Sequence, residues 1–380
     1  MIFLLLGVSA AALALGLTPA VRALAHRFRA LDEPGERRVH AAPVPRLGGV
    51  AVLAAGLGAL GLASACGLDV YGELVSHGWS LGWLLAGVLS VVTAGIIDDV
   101  WSLGPAPKLA FQVLAGGMAL AGGYGFSAIT NPITGGYINL GALGGFATLL
   151  WVVGITNAFN LIDGLDGLAA GVAMIASTTL LSVSLAEGRT DAAVLSVVLV
   201  GALAGFLYYN FNPASIFLGD SGSLLLGYLL AVVSIQSLHK GATAVVILVP
   251  ILALGFPIMD TVLTMLRRFL VAGFASIFRA DREHIHHRLL TLGMTHRRAV
   301  LLLYAVCVGF SAMTFLAVTV RAAGDAIVVG LVAVASYVGI RKLGYGDRAL
   351  APRDRPPAVA PERTLPAADP PARLTASRRQ

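Results

Sequence analysis

The chain has 380 residues, 57% of them hydrophobic and only 12% charged, with a mean hydropathy of +0.84, which excludes an ordinary soluble domain. Its formal charge of +6 comes with no soluble domain and no basic patch interleaved with aromatics, so nucleic acid is excluded as a partner. The composition predicts an all-α polytopic membrane protein.

Crossing about 30 Å of hydrocarbon takes roughly 17 to 25 apolar residues. Such runs predict eleven spans, near 1–21, 47–65, 79–97, 107–123, 145–160, 167–186, 192–209, 222–238, 242–268, 299–320 and 326–342. The first has no basic residue before its apolar core, so it reads as an uncleaved helix rather than a secretory signal. Between the fourth and fifth runs, 124–144 alternates short β-prone pieces with Asn-Pro and Gly-Gly turn signals, predicting a small outer-face hairpin. Residues 346–380 are rich in Pro, Ala and Arg without apolar periodicity. They read as a disordered cytoplasmic tail behind one membrane domain, 1–345. Cys66 and Cys307 lack any partner pattern and say little about redox compartment.

Charge orients the spans. If the loop 22–46 is cytoplasmic, alternation puts every basic residue on that side except Arg189, Lys240 and Arg321. The positive-inside rule then predicts an outside N-terminus and a cytoplasmic C-terminus. A basic inner face beside anionic headgroups suits anionic lipids or nucleotides.

Five polar motifs fall at cytoplasmic ends of these spans: VPRLGG (44–49), IIDDVWSLGPAPKLAFQ (96–112), NAFNLIDGLDGLAAG (157–171), YYNFNPASIFLGDSGSLLLG (208–227) and DREHIHHRLL (281–290). Asp98 and Asp99 are either a helix end meeting water or a pocket pair that needs a cation nearby. Lys108, with Gln112 one turn further on, is placed to supply that charge and face the same cavity. Asn157, Asn160, Asp163 and Asp166 recur every three residues. That is one helical stripe if the helix continues, or a broken backbone approaching a ligand if the glycines at 164 and 167 interrupt it. Four such residues are more than a cap requires.

Asp220 is an N-cap candidate at the start of the eighth span. A carboxylate beside free helix N-terminal amides also suits Mg²⁺ and phosphate together. Phe217 and Asn210 precede it, and an aromatic beside amides suits a nucleobase, although interfacial aromatics also serve as anchors. His284, His286 and His287 suggest zinc by spacing. The flanking arginines, including Arg288, favour an anion instead, and a phosphate-binding loop is the preferred reading. Asp260, alone in its span, is expected to pair with Arg267 or Arg268 as a supporting residue. Paired carboxylates, amides and a basic loop on a membrane scaffold point to phosphoryl transfer between a cytosolic and a lipid substrate.

With DD, NxxNxxDGxDGLA, GDSGSLxLG and HIHHRL in this order, the chain resembles the polyprenyl-phosphate N-acetylhexosamine-1-phosphate transferases, of the glycosyltransferase family 4 type. They share a superfamily with the bacterial phospho-N-acetylmuramoyl-pentapeptide transferase and the eukaryotic dolichyl-phosphate GlcNAc-1-phosphotransferase. The likeness runs from about Arg22 to Arg298 and extends to the spans, leaving out the tail. It implies transfer of sugar 1-phosphate from a UDP-N-acetylhexosamine to polyprenyl phosphate, releasing UMP, at the cytoplasmic face of the plasma membrane in cell-envelope glycopolymer synthesis. A homodimer is compatible with it.

By this resemblance Asp220 ligates Mg²⁺, with Mn²⁺ as a substitute, and Asp163 lines the metal and phosphate region. Asp98 activates the lipid phosphate with Asp99 in support, and Asp166, Asn160, Asn210 and Phe217 hold uridine, with Asn157 alongside. The loop from His284 to Arg288 grips sugar and pyrophosphate, and Lys108 and Arg46 are weaker phosphate contacts. Two departures stand out. VWSL follows the DD pair where many relatives carry an acid or lysine. HIHHRL replaces the three consecutive histidines of the muramoyl-pentapeptide enzymes, which favours UDP-GlcNAc as donor. The alternatives are that pentapeptide transferase, another UDP-N-acetylhexosamine donor, and, in a different class, a transporter.

Overall fold

The structure is a computed structural model describing residues 1–32, 43–75, 80–130, 137–237, 245–272 and 284–320. In chain order it runs α1 (Ile2–Arg27), β1 (Leu31–Asp32), β2 (Val44–Pro45), α2 (Gly48–Ala65), a short α3 (Val70–Val75), α4 (Leu81–Trp101) and α5 (Pro105–Ala121). There follow β3 (Ala128–Thr130), β4 (Tyr137–Asn139), α6 (Ala142–Ile162), α7 (Leu168–Ala186), α8 (Thr190–Asn210) and α9 (Gly219–Gln236). The last four elements are α10 (Val245–Ala253), α11 (Gly255–Ala272), α12 (Ile285–Thr291) and α13 (His296–Val320).

The all-α expectation holds. Among the described residues, eight helices are long and apolar enough to cross a membrane: α1, α2, α4, α6, α7, α8, α9 and α13. The expected fourth run forms α5, a helix of 17 residues. The expected ninth run divides at Leu254 into α10 and α11. Pro257 lacks the N–H that would reach back to Ala253, so the ladder loses that bond at the break, while Leu254 still donates to the Pro250 carbonyl and accepts from the Ile258 N–H. The eleventh run and the 346–380 tail lie outside the described residues. The expected hairpin is present as β3 and β4, antiparallel with Ile129 opposite Ile138. Sequence reasoning did not foresee β1 and β2, which pair Leu31 with Pro45 and Asp32 with Val44.

Burial ranks the helices. In α9 only Asp220 and Leu229 of 18 residues escape burial, as expected of a helix apolar on all sides. It packs against α4 and α6 on its flanks and also meets α2, α7 and α8. α1 covers α2 and α8 from outside and exposes Leu4, Val8, Leu15 and Leu24. Where α9 starts, its backbone lies directly on its neighbours: a Cβ on Gly49 of α2 would collide with the Gly222 backbone, and one on Gly95 of α4 with that of Ser221. Glycine is needed at both places because two main chains occupy the space of a side chain.

Three buried threonine hydroxyls inside the spans are satisfied within their own helix. Thr18, Thr148 and Thr156 donate to the carbonyls of Ala14, Gly144 and Val152 at 2.6, 2.7 and 2.6 Å, as an environment without water requires. The consequence for the site is one of position. The ends of α4, α6 and α8 and the starts of α2, α5, α7, α9 and α13 meet at one end of the bundle, and the polar motifs lie there.

Candidate active site

The centre of this end is a set of carboxylates around the start of α9. Asp99, buried on the last turn of α4, accepts hydrogen bonds from the backbone N–H of Asp220 at 2.8 Å and of Ser221 at 3.1 Å. The amides expected to be free at this helix start are therefore taken: a side chain from another helix caps α9, and Asp220 is not its own cap. This frees the Asp220 carboxylate. Lys108, on the first turn of α5, places its Nζ 2.5 Å from Asp220 Oδ2 and 2.9 Å from Asp98 Oδ2. The adjacent acids of α4 thus do different things, Asp99 bracing the backbone and Asp98 facing the lysine with Asp220.

The stripe from Asn157 to Asp166 does not continue as a helix. α6 ends at Ile162, and Asp163 to Gly167 form the connection to α7. Enclosure first, and then the charges of Asp220 and Asp99, push the Asp163 carboxyl well above the usual carboxylate range; Arg46 opposes this and Asp166 adds to it. The Asp163 carboxylate has no hydrogen-bond partner among the described residues. Asn157 exchanges amide hydrogen bonds with Gln112 of α5, at 2.5 and 3.3 Å, so Gln112 does share the side of α5 that carries Lys108. Asn160 Nδ2 donates to Ser223 Oγ at 2.9 Å.

The second loop, between α8 and α9, is tied to the first through Asp166, whose Oδ2 accepts from Asn212 Nδ2 at 2.9 Å and from the Ala214 N–H at 3.1 Å. Asn210 is buried and donates to the Ile216 carbonyl at 3.0 Å, bracing that loop from inside. Phe217 is half-buried. Its backbone N–H donates to the Pro45 carbonyl at 2.8 Å and its carbonyl accepts from the Gly48 N–H at 3.0 Å. That fastens VPRLGG to the loop. Arg46 pairs with the buried Asp32 across the small β1–β2 ladder.

The histidine segment also packs here. His284 and His286 are buried, while His287 and Arg288 are half-buried. Asp260 does not pair with Arg267 or Arg268 as expected. Its Oδ2 lies 2.7 Å from His284 Nδ1, and its Oδ1 accepts the Ile285 N–H at 2.9 Å. The reason is geometric: Asp260 on α11 faces the incoming start of α12 and binds its first amide and its flanking histidine together. His286 presses on Gly164, where a Cβ would meet its ring. Burial, with the charge of His287, lowers the His286 pKa to about 3. A neutral ring at this position can still donate or accept one hydrogen bond but adds no positive charge to the loop.

The donor chemistry fits a hard divalent cation: Asp98, Asp163 and Asp220 offer only oxygens, and the single lysine lies between Asp98 and Asp220. The ligands are not assembled in advance. Among the described residues no three acidic, histidine or cysteine side chains converge on a point, and the Lys108 ammonium holds the space between Asp98 and Asp220. Sequence reasoning missed Asp32 and His296. Asp32 is the first acid after α1, at the edge of a basic loop, and His296 lies in a run of basic residues that reads as a charged connection.

The geometry agrees with sequence comparison. The family model described as "Glycosyl transferase family 4" matches residues 81–238, from the start of α4 to just past the end of α9. The chain is 37% identical over 295 residues to a Bacillus subtilis protein named "Probable undecaprenyl-phosphate N-acetylglucosaminyl 1-phosphate transferase", covering 78% of this chain and 79% of that one. It is likewise 37% identical over 321 residues to the "Decaprenyl-phosphate N-acetylglucosaminephosphotransferase" of Mycobacterium tuberculosis, covering 79% and 78%. To the Escherichia coli "Undecaprenyl-phosphate alpha-N-acetylglucosaminyl 1-phosphate transferase" it is 28% identical over 287 residues, covering 74% and 75%. At this identity and coverage the chain belongs to glycosyl transferase family 4, among the polyprenyl-phosphate N-acetylhexosamine-1-phosphate transferases.

Proposed function

We propose that this protein transfers N-acetylglucosamine 1-phosphate from UDP-GlcNAc to a polyprenyl phosphate, giving the lipid pyrophosphoryl sugar and UMP. The observation that carries the reading is the Asp98–Lys108–Asp220 set at one end of a membrane bundle, with Asp163 crowded against it. The relatives' names supply the donor sugar and the class of lipid. Asymmetry of basic residues supports a cytoplasmic site in the plasma membrane.

In this reading an oxygen of the lipid phosphate forms a bond to the β-phosphorus of UDP-GlcNAc, and the bond from that phosphorus to the bridging oxygen breaks as UMP leaves. Such transfers depend mainly on positioning and charge neutralisation. Asp98 receives the lipid phosphate and accepts its proton. Lys108 exchanges a carboxylate for a phosphate oxygen as substrates enter, and Asp99 acts indirectly by holding the start of α9. Asp166, Asn160 and Phe217 line the uridine side, with Asn157 and Asn210 bracing their loops. His287, Arg288 and Arg46 hold sugar and pyrophosphate. Mg²⁺ at Asp220 and Asp163 would supply charge neutralisation at the pyrophosphate.

The test is product analysis. Purified protein in lipid nanodiscs with undecaprenyl phosphate is given UDP-GlcNAc, UDP-GalNAc or UDP-MurNAc-pentapeptide in parallel, and the lipid fraction is read by mass spectrometry. We expect the GlcNAc product to dominate; a dominant product from another donor would overturn the assignment of the sugar.

A further inference from the structure

The start of α13 lies outside every polar motif, yet it joins the two loops of the site. The backbone N–H of Asp166 donates to His296 Nε2 at 2.9 Å. The next residue, Arg297, donates from Nε to the Asn212 carbonyl at 3.0 Å, and Asn212 itself binds the Asp166 carboxylate. Two turns on, Tyr304 donates its hydroxyl to the Gly167 carbonyl at 2.5 Å. The same hydroxyl lies close to where side chains at Gly167 and Gly171 would stand. One helix thus grips 163–167 at both Asp166 and Gly167 and the α8–α9 loop at Asn212.

We infer that His296 is a positioning residue for nucleotide binding, fixing the Asp166 main chain so that this carboxylate and the Asn212 loop present one rigid surface to the ligand. The inference rests on the reading above that Asp166 lines the uridine side. The chemistry requires a neutral ring. An imidazole nitrogen that accepts an amide proton carries none of its own, so the ring proton sits on Nδ1. That nitrogen is buried with no partner among the described residues, so there the ring is held by what Nε2 does. Position and acceptor both matter: a hydrocarbon side chain would leave the Asp166 N–H unpaired, and a lysine would oppose it with a donor. Glutamine carries an acceptor oxygen on a chain of similar reach.

The test uses full-length protein in nanodiscs and two readouts. Hydrogen exchange needs no turnover. In His296→Ala, peptides covering 163–167 and 211–215 should exchange roughly tenfold faster together, the scale of one lost hydrogen bond, while His296→Gln stays near wild type. Kinetically, His296→Ala should raise KM for UDP-GlcNAc by about the same factor and leave KM for the lipid within about twofold, with Gln restoring most of the loss. Tyr304→Phe should loosen 163–167 and spare 211–215. Unchanged exchange in His296→Ala, a Gln variant as impaired as Ala, or equal loss for both substrates would overturn the inference. Wild-type protein that makes no lipid product would overturn the functional reading alone, because exchange still decides whether His296 holds the loops.

Discussion

At the scale of single residues, neighbouring carboxylates are separated in role by what each one touches. Asp99 is spent on two backbone amides, whereas Asp220 and Asp98 share one ammonium. Asp220→Asn keeps the shape of the side chain and removes its charge. We expect turnover to fall about a hundredfold or more, on the scale of losing one transition-state charge contact, with UDP affinity in the absence of metal changed by only a few-fold. Steady-state UMP release and calorimetry measure the two, and near-normal turnover would contradict the role given to Asp220. The separate functions of Asp98 and Asp99 were not legible in IIDDVW, because adjacent residues on a helix point about 100° apart and only the packed partner decides which inward direction is the brace. Asp260 shows the same limit: its partner His284 is 24 residues away in sequence, and nearer arginines were the more obvious choice.

At the scale of elements, the position of α9 depends on main-chain contact at Gly49 and Gly95. Gly95→Ala inserts a methyl group into the Ser221 backbone, and overpacking of this kind typically costs about 1–3 kcal/mol. Gly117→Ala on α5 meets nothing within 4 Å and should be neutral or slightly stabilising. Thermal unfolding of both in detergent should separate them; equal midpoints would contradict close packing of α4 on α9.

His286 adds a pH dependence. Its folded pKa, near 3, lies below the ordinary value of about 6.5. The unfolded chain therefore binds the extra proton first, and stability is full above about pH 6.5 and falls as pH drops toward 3. His286→Asn should flatten that slope in a pH series of unfolding midpoints, and an unchanged slope would count against a buried neutral ring. Helices were legible from apolar run length, and the hairpin from its turn signals. The break at Leu254 had a local cause in Pro257 but was masked by unbroken hydropathy. The β1–β2 ladder had no signal, since two residues a side form no pattern.

At the scale of the whole molecule, motifs scattered from Val44 to Leu290 assemble because alternating helices return the chain repeatedly to the same end. Their convergence followed from sequence: counting spans and charges predicted one shared side for all five motifs, and the structure brings those motifs to one end of the bundle. What did not follow is how the end is locked, since Asp166, Asn212 and His296 meet only through three separate elements. The central claim is that this assembled end joins a nucleotide sugar to a membrane lipid. The most direct measurement is UMP release by purified protein with UDP-GlcNAc, taken with and without polyprenyl phosphate and with Mg²⁺ or a chelator. We expect UMP only when lipid and metal are both present, in equal amount to the lipid pyrophosphoryl sugar formed. UMP released without lipid, or none with every component present and UDP still bound, would contradict it.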